Sequence, residues 1–227
     1  TLKSKLLEFA MPNFSESEKK SIYKVIESRR DVRSGFSSRD LDEETLQKIL
    51  RAAHHAPSVG FMQPWNFILI KDIEIRQQIK ENFLACRASE AEIFDDKRQQ
   101  LYKGLKLEGI LEAPLNICIT CERDRGGETG LGRSKQESMD LYSTVCAIQN
   151  LWLAARAEGV GIGWVSILDK NHLKVLLDLP ENVEVIAYLC AGYVDDFADE
   201  PELAKAGWQQ RLELDELIFH EKWGQRD

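Results

Sequence analysis

The sequence predicts a single domain of the α+β class, and three observations support this prediction. Four short apolar runs are typical of strands, and the longer segments between them have the residue spacing of helices. The 227 residues are 43% hydrophobic and 30% charged, which is the composition of a globular domain with a sizeable core. Because no internal repeat and no low-complexity linker divides the chain, we expect one domain over residues 1–227.

Helical spacing of apolar residues is found in five segments. They cover approximately residues 15–28, 42–55, 72–112 (as two or three helices), 138–158 and 171–177. In the first segment, Ser15 and Glu18 have the spacing of a capping box. Its buried side is expected to carry Ile22, Val25 and Ile26. The segment at 138–158 is apolar on nearly every side, so we expect it in the core or against another subunit.

The predicted strands cover residues 67–70, 115–120, 161–168 and 184–193. Ser166 lies in the apolar middle of the third run, where a buried serine bonded to backbone is expected. Between the second helix and the first strand, Pro57 ends the helix and Pro64 marks the entry to the strand. The tight polar loop between them is either an ordinary connection or one that exposes backbone N–H groups to a ligand.

Charge and cysteine content limit the class of protein. The formal net charge of −8 and the pI of about 5.2 argue against nonspecific nucleic-acid binding. No apolar run approaches the roughly 20 residues of a membrane-spanning helix. Most of the cysteines lie in apolar surroundings, as expected for reduced thiols in a cytoplasmic protein. Cys118 and Cys121 are expected on opposite faces of a strand, and no metal site is predicted.

A basic cluster, Arg29, Arg30 and Arg33, follows the first helix at once. Such a cluster is either a solvated surface feature or an anion site, because several guanidinium groups together match the oxygens of a phosphate. Asp31 in its middle is either a counter-charge to the arginines or a proton acceptor. The residues alone therefore predict one α+β domain with one candidate anion site, and they leave the reaction open.

Four stretches together resemble the nitroreductase-like flavoproteins, in the order of that family and over nearly the whole chain. They are Arg-Arg-Asp-Val-Arg (29–33), Ala-Pro-Ser-Val-Gly-Phe-Met-Gln-Pro-Trp (56–65), Leu-Lys-Leu-Glu-Gly-Ile (105–110) and Gly-Trp-Val-Ser-Ile-Leu (163–168). A long apolar central helix and a C-terminal arginine complete the resemblance. It implies a three-layer α/β/α sandwich with a mostly antiparallel central sheet. It also implies an intertwined homodimer that binds FMN at the subunit interface.

The resemblance further implies which residues hold FMN. The phosphate and ribityl chain would be bound by Arg29, Arg30, Arg33 and Arg211. A loop of the other subunit would supply Pro57, Ser58, Val59, Met62 and Gln63. A strand along the isoalloxazine ring would supply Val165, Ile167 and Leu168. Residues 86–110 are the candidate lid. The tail at 207–227 would embrace the partner subunit.

Within that superfamily the chain resembles most the branch for which FMN is the substrate, and Asp31 and Ser166 carry this distinction. The implied reaction is the O2-dependent fragmentation of reduced FMN to 5,6-dimethylbenzimidazole, the lower ligand of vitamin B12, with erythrose 4-phosphate as co-product. Asp31 would take or shuttle a proton from the ribityl carbon bonded to the flavin, and Ser166 would orient a hydroxyl. A separate flavin reductase would supply reduced FMN, so NAD(P)H would act only indirectly.

Three alternatives remain open at this point. The first is an FMN-dependent NAD(P)H oxidoreductase, such as a nitro or quinone reductase, that keeps its flavin through turnover. The second is a reductive dehalogenase-like flavoprotein, which also uses a lid. The third is a noncatalytic flavin carrier or sensor in which the arginines hold FMN and no reaction follows. Asp31 and Ser166 favour the flavin-fragmenting enzyme over all three.

Overall fold

A computed structural model describes residues 13–127 and 130–226 and has one antiparallel four-stranded sheet. The strands are β1 (Trp65–Ile70), β2 (Leu115–Glu122), β3 (Val160–Val165) and β4 (Val183–Tyr193). The helices are α1 (Glu16–Ser28), α2 (Glu43–His54), α3 (Ile73–Ala91), α4 (Asp96–Gly104), α5 (Met139–Ala157), α6 (Lys170–Leu176) and α7 (Glu202–Lys205). Two short 3₁₀ helices cover Val59–Phe61 and Leu214–Leu217.

The sheet has the strand order β1-β2-β4-β3, so β1 and β3 are its two edges. Helices α2 and α5 pack on one face through a core that includes Ile49, Ile148 and Leu151. Helices α3 and α6 pack on the other face through a second core that includes Phe83 and Leu173. The predicted three-layer α+β architecture with an antiparallel sheet is therefore confirmed.

The outer helices are less buried than the sequence predicted. Ser15 and Glu18 form the expected capping box of α1. However, α1 buries none of its residues, and the prediction that Ile22 and Ile26 are buried is wrong for a single chain, since 45% and 46% of these residues are exposed. Helix α5 buries one side and exposes Tyr142 on the other. Apolar surface is thus left uncovered on both helices.

The third strand is shorter than predicted, because β3 ends at Val165 rather than at Leu168. The prediction that Ser166 is buried in the middle of this strand is wrong, and Ser166 is exposed. The Asn82 side chain accepts a hydrogen bond from Asp169 N (2.9 Å) and donates one to Asp169 O (3.1 Å). These two bonds tie the chain after β3 to α3, which draws it away from the sheet edge.

The candidate lid at 86–110 consists of the end of α3, helix α4 and a connection to β2. The last part of this segment is anchored, because Glu108 and Ile110 are buried. Tyr102 of α4 packs against Trp208, with ring centroids 6.1 Å apart. The start of the C-terminal tail therefore contacts the same chain, whereas Trp223 near its end is 90% exposed.

Cys118 and Cys121 lie on opposite faces of the sheet, as the sequence predicted. Cys118 lies in the core shared with α3, whereas the Cys121 thiol lies beside Thr144 of α5 on the opposite face of the sheet. Burial raises the pKa of the Cys118 thiol to about 12, so it stays protonated at neutral pH. Among the residues described, no helix combines the length and the apolar character needed to cross a membrane.

Candidate functional site

The basic cluster lies where the chain leaves α1 and passes β3. Asp31 forms a parallel bridge with Ile162, and Val32 N donates a hydrogen bond to Ile162 O over 2.9 Å. A cleft of about 230 Å³ opens beside this crossing. It is lined by Arg29, Arg30, Asp31, Arg33, Pro201, Glu202, Leu203 and Arg211. All four arginines that the sequence predicted for phosphate binding therefore converge, although Arg211 lies at the other end of the chain.

Gly163 permits the close approach of the Asp31–Val32 backbone to β3. A Cβ atom at this position would lie well within 3.0 Å of Val32 O, whereas real Cβ atoms stay at least 3.0 Å from such an atom. Any larger residue would therefore push residues 31 and 32 away from the strand. The glycine of the Gly-Trp-Val-Ser stretch is explained by this contact with the protein backbone.

Asp31 is held on both carboxylate oxygens. Its Oδ1 accepts a hydrogen bond from Trp164 N (2.9 Å), and its Oδ2 accepts two from Arg33, from Nε at 3.1 Å and Nη2 at 2.5 Å. The Asp31 side chain is 29% exposed and that of Arg33 is 11% exposed. Asp31 is thus a counter-charge to Arg33, which was one of the two alternatives that the sequence left open. The same bonds fix its carboxylate at the edge of the cleft.

The arginines differ in how many donors they have free for a ligand. Arg30 donates to four backbone carbonyls, those of Glu27, Arg29, Ala198 and Asp199, so most of its guanidinium is already bonded. It joins the end of α1 to the segment before α7 and adds positive charge without many free donors.

Among the residues that the structure describes, the Arg29 guanidinium forms no hydrogen bond and no ion pair, so its donors are free for the cleft. Its guanidinium stacks over the Trp152 ring at 4.7 Å from the centroid. Burial lowers the pKa of Arg29, and the charges of Arg30 and Arg211 lower it further, although Asp31 acts in the opposite sense. An anion in the cleft would relieve this repulsion. Arg29 and Arg211 are therefore the arginines best suited to bind a phosphate directly.

The loop at 57–63 is held in one conformation by its own hydrogen bonds. Ser58 Oγ accepts a bond from Gln63 N (3.1 Å), and Val59 N donates to Ser143 Oγ of α5 (3.0 Å). Phe61 and Gln63 have left-handed φ values of 54° and 48°, which side chains rarely adopt. Phe61 is 82% exposed, so the loop presents an aromatic ring to solvent.

Arg125, which the sequence did not single out, fixes the end of this loop. Its Nη1 donates to Gln63 O (2.7 Å) and Trp65 O (2.9 Å), and its Nη2 donates to Asn66 Oδ1 (2.5 Å). Pro57 is exposed, whereas Met62 is buried and packs against Gly126. In this chain Met62 therefore supports the loop from within and does not line an open surface.

The structure does not bring the two predicted halves of the flavin site together within one chain. The loop at 57–63 precedes β1, at one edge of the sheet, and the arginine cleft adjoins β3, at the other. Three strand spacings, or about 14 Å, separate these edges. The cleft is also smaller than the roughly 300–1,000 Å³ of pockets that enclose drug-sized ligands. One chain thus provides a phosphate cleft but not a complete flavin pocket.

Ser166, Ile167 and Leu168 lie beyond the end of β3 and not on it, which corrects their predicted place in the strand. They line a second cavity together with residues of α3, among them Asn82 and Cys86. Ile167 and Leu168 pack against the core on the α3 side, and Val165 is buried in it. Ser166 is exposed in this cavity, two residues after the backbone amide that holds Asp31.

Sequence reasoning missed Glu202 in the cleft, and it missed Glu108 and Lys106 in the segment behind Arg33. Glu202 lines the cleft, but its four-residue helix carries no pattern that would mark it. Glu108 is 5% exposed and forms ion pairs with Lys80 and Lys106. Only a family resemblance, and no local pattern, marks the stretch in which it lies. Lys106 O in turn accepts a hydrogen bond from Arg33 Nη1 (3.2 Å), so Glu108 supports the segment that positions Arg33.

Comparison with known proteins identifies the family. Residues 26–193 match the model of the nitroreductase family. The chain belongs to the nitroreductase family. Among curated members, it is 40% identical over 200 residues to the 5,6-dimethylbenzimidazole synthase of Rhodospirillum rubrum, and the match covers 88% of this chain and 94% of that protein. The synthase of Rhodobacter capsulatus is 36% identical, and that match covers 88% of this chain and 96% of the relative.

A solved structure supports the fold of this nitroreductase family member. The crystal structure of oxidised iodotyrosine deiodinase bound to FMN and 3-iodo-L-tyrosine matches with a TM-score of 0.69 and 21% identity. The match covers 88% of this chain and 98% of the deiodinase chain. At this identity the similarity concerns the fold alone.

The residues of the cleft fit a phosphate-bearing ligand such as FMN. Arg29 and Arg211 line the cleft, and within the described part of the chain their guanidinium groups donate no hydrogen bond. Arg33 is fixed beside them by Asp31. Burial, together with the charges of Arg30 and Arg211, lowers the pKa of Arg29, and a bound anion would act in the opposite sense. A phosphate group supplies such a charge together with several acceptor oxygens.

Proposed function

We propose that this nitroreductase family member is a 5,6-dimethylbenzimidazole synthase that fragments reduced FMN in the presence of O2. The similarity to the Rhodospirillum rubrum synthase carries this proposal, because it extends over 94% of that enzyme at 40% identity. The four-arginine cleft supports it independently, since FMN differs from riboflavin by the phosphate that such a cleft binds.

The substrate would be bound between two copies of the chain. The arginine cleft of one protomer would hold the phosphate, and the loop at 57–63 of its partner would reach the flavin. Exposed apolar residues of α1 and α5, including Tyr23 (62% exposed), Tyr142 (52%) and Val145 (43%), provide surface for such an association. The C-terminal tail, with Leu214 and Trp223 exposed, would pack on the partner subunit.

Each protein group would have a defined task in this site. Bound reduced FMN supplies the carbon skeleton of the product and the electrons that O2 accepts. Arg29, Arg33 and Arg211 would bind the phosphate, while Asp31 would accept or pass on a proton of the ribityl chain. Trp164 N and Arg33 hold the Asp31 carboxylate at the edge of the cleft. Ser166 would orient a hydroxyl, and the segment at 86–110 would limit access of water.

The test is an analysis of products. FMN is kept reduced by a separate flavin reductase with NADH, the protein is added in air, and the mixture is separated by chromatography and identified by mass. The proposal predicts loss of FMN together with formation of 5,6-dimethylbenzimidazole, and none in a control that lacks the protein. Intact FMN with NADH consumed by this protein alone would instead identify an NAD(P)H oxidoreductase. Intact FMN without NADH consumption would identify a flavin carrier.

The shared site has a test of its own. A glutamate at position 145, introduced as Val145→Glu, places a charge on the exposed side of α5 that a partner would have to bury. We expect the variant to sediment as a monomer and to lose FMN binding, while keeping its helical circular dichroism. As a matched control, Val175→Glu changes a valine that is 80% exposed on α6. A monomeric Val145→Glu protein that binds FMN normally would refute the shared site.

A further inference from the structure

Glu202 is a second carboxyl group in the arginine cleft, and it differs from Asp31 in its surroundings. It opens α7 after Pro201 and lines the cleft with the four arginines. The Asp31 carboxylate is bonded on both oxygens. Among the described residues, the half-buried Glu202 carboxylate forms no hydrogen bond and no ion pair, although four arginines line the same cleft. Its oxygens therefore remain available to a ligand.

The charges around Glu202 act in opposite directions. Burial raises the pKa of the Glu202 carboxyl most, and the negative charge of Asp31 raises it as well. Arg33 and Lys106 lower the pKa but do not outweigh burial, so the net shift is upward from the ordinary value of 4.5. Arg29, Arg30 and Arg211 face the same cleft. The carboxyl that lacks a partner is thus also the one that takes up a proton more readily than a free glutamate.

We propose that Glu202 meets the phosphate of the ligand as a neutral carboxylic acid and donates its proton as a hydrogen bond to a phosphate oxygen. This inference rests on the proposed function, which places the FMN phosphate in the cleft. An ionised carboxylate there would repel a phosphate dianion, whereas a protonated one is a donor. Binding would therefore take up one proton from solvent, which stays on the Glu202 carboxyl.

The proposal fixes the sign of a pH dependence. If the bound complex contains protonated Glu202, FMN affinity is highest below the pKa of Glu202 in the free protein and falls as the pH rises above it. The fall is at most about tenfold per pH unit, because one proton is involved. The phosphate itself acts in the opposite sense, since its second ionisation near pH 6 strengthens its attraction to arginines. Replacing Glu202 separates the two effects.

The experiment measures binding of oxidised FMN by quenching of its fluorescence, from about pH 5 to about pH 8, a range that spans ordinary carboxyl and phosphate ionisation. Glu202→Gln keeps the shape of the neutral acid. We expect it to match the wild-type affinity at the acidic end and to bind FMN at least about tenfold more tightly at the alkaline end. Riboflavin, which lacks the phosphate, should show no such divergence. The exposed neighbour Glu200 provides the control variant Glu200→Gln, which should follow the wild type.

A second measurement uses only the wild-type protein, so it does not depend on how the variant folds. Calorimetry of FMN binding at about pH 8, in two buffers of different ionisation enthalpy, gives the number of protons taken up, at a pH where the phosphate is already ionised. We expect net uptake for FMN and none for riboflavin.

Parallel affinity curves for wild type and Glu202→Gln, or the same divergence for riboflavin, would overturn the role of Glu202 and leave the proposed function intact. Absence of FMN binding by the wild type at every pH would refute the proposed function and this inference together.

Discussion

Gly163→Ala tests the contact on which the arginine cleft depends. The added Cβ would collide with Val32 O, so residues 31 and 32 would move away from β3. Two hydrogen bonds would be lost, from Val32 N to Ile162 O and from Trp164 N to Asp31 Oδ1, each 2.9 Å long. At about 1 kcal/mol for each bond and about 1–3 kcal/mol for overpacking, we expect a destabilisation of about 3–5 kcal/mol.

The assay is equilibrium unfolding in urea at one fixed protein concentration, because association with a partner would contribute to stability. With an m-value of about 2–3 kcal/mol/M, the midpoint should fall by about 1–2.5 M. FMN binding should weaken as well, because Asp31 and Arg33 move with the backbone. Gly104→Ala is the matched control, since a Cβ there meets nothing within 4 Å and the φ angle is ordinary. It should leave stability unchanged or raise it by up to about 1 kcal/mol. A Gly163→Ala protein as stable as the control, with normal FMN affinity, would refute this reasoning.

Three further predictions concern the cleft and the segment that supports Arg33. Asp31→Asn should still bind FMN but form product at least about 100-fold more slowly, as single-turnover assays would show, and a normal rate would remove its role as a base. Arg29→Met should weaken FMN binding at nearly unchanged thermal stability, whereas Arg30→Met should mainly lower the melting temperature. If both variants changed binding and melting temperature equally, the assignment of Arg29 to ligand binding and of Arg30 to structure would be wrong. Burial alone would raise the pKa of Glu108, but the bond from Lys80 and neighbouring charges lower it below 4.5. The stability that the ionised Glu108 contributes is therefore present at neutral pH and lost as the pH falls below about 4.5. The melting temperature of Glu108→Gln should be lower than that of the wild type at pH 7, and the two should converge in acid. A difference in melting temperature that does not change with pH would contradict this role of Glu108.

The sequence predicted the layers of this domain well, because local signals determine them. The apolar run of β2 and the prolines around residues 57–64 mark a strand and a loop without any tertiary information. Ser166 was misplaced because Ile167 and Leu168 continue the apolar run of β3. Their burial comes from packing on the α3 side and not from the sheet, and residue spacing alone does not separate these two causes.

The sequence did not predict the electrostatic contacts of the cleft between residues that lie far apart in the chain. Glu202 is an ordinary acidic residue in its own segment, and it gains significance only because Arg29 and Arg33 lie across the cleft. The convergence of Arg211 on the same cleft was expected from a family resemblance, and no local pattern indicates it. The prediction that Ile22 and Ile26 of α1 are buried is wrong for the single chain, because residue spacing shows which side of a helix is apolar but not what covers it.

The division of the arginine cleft between the two ends of the chain has a consequence for biosynthesis. Residues 29–33 leave the ribosome early, whereas β4 and residues 201–211 follow only after most of the domain has been made. Contacts of such high sequence separation form late, since a long loop must close before they are gained. In a nascent chain the two parts of the arginine cleft therefore stay apart until residues 201–211 have been made, and the cleft forms in one late folding step.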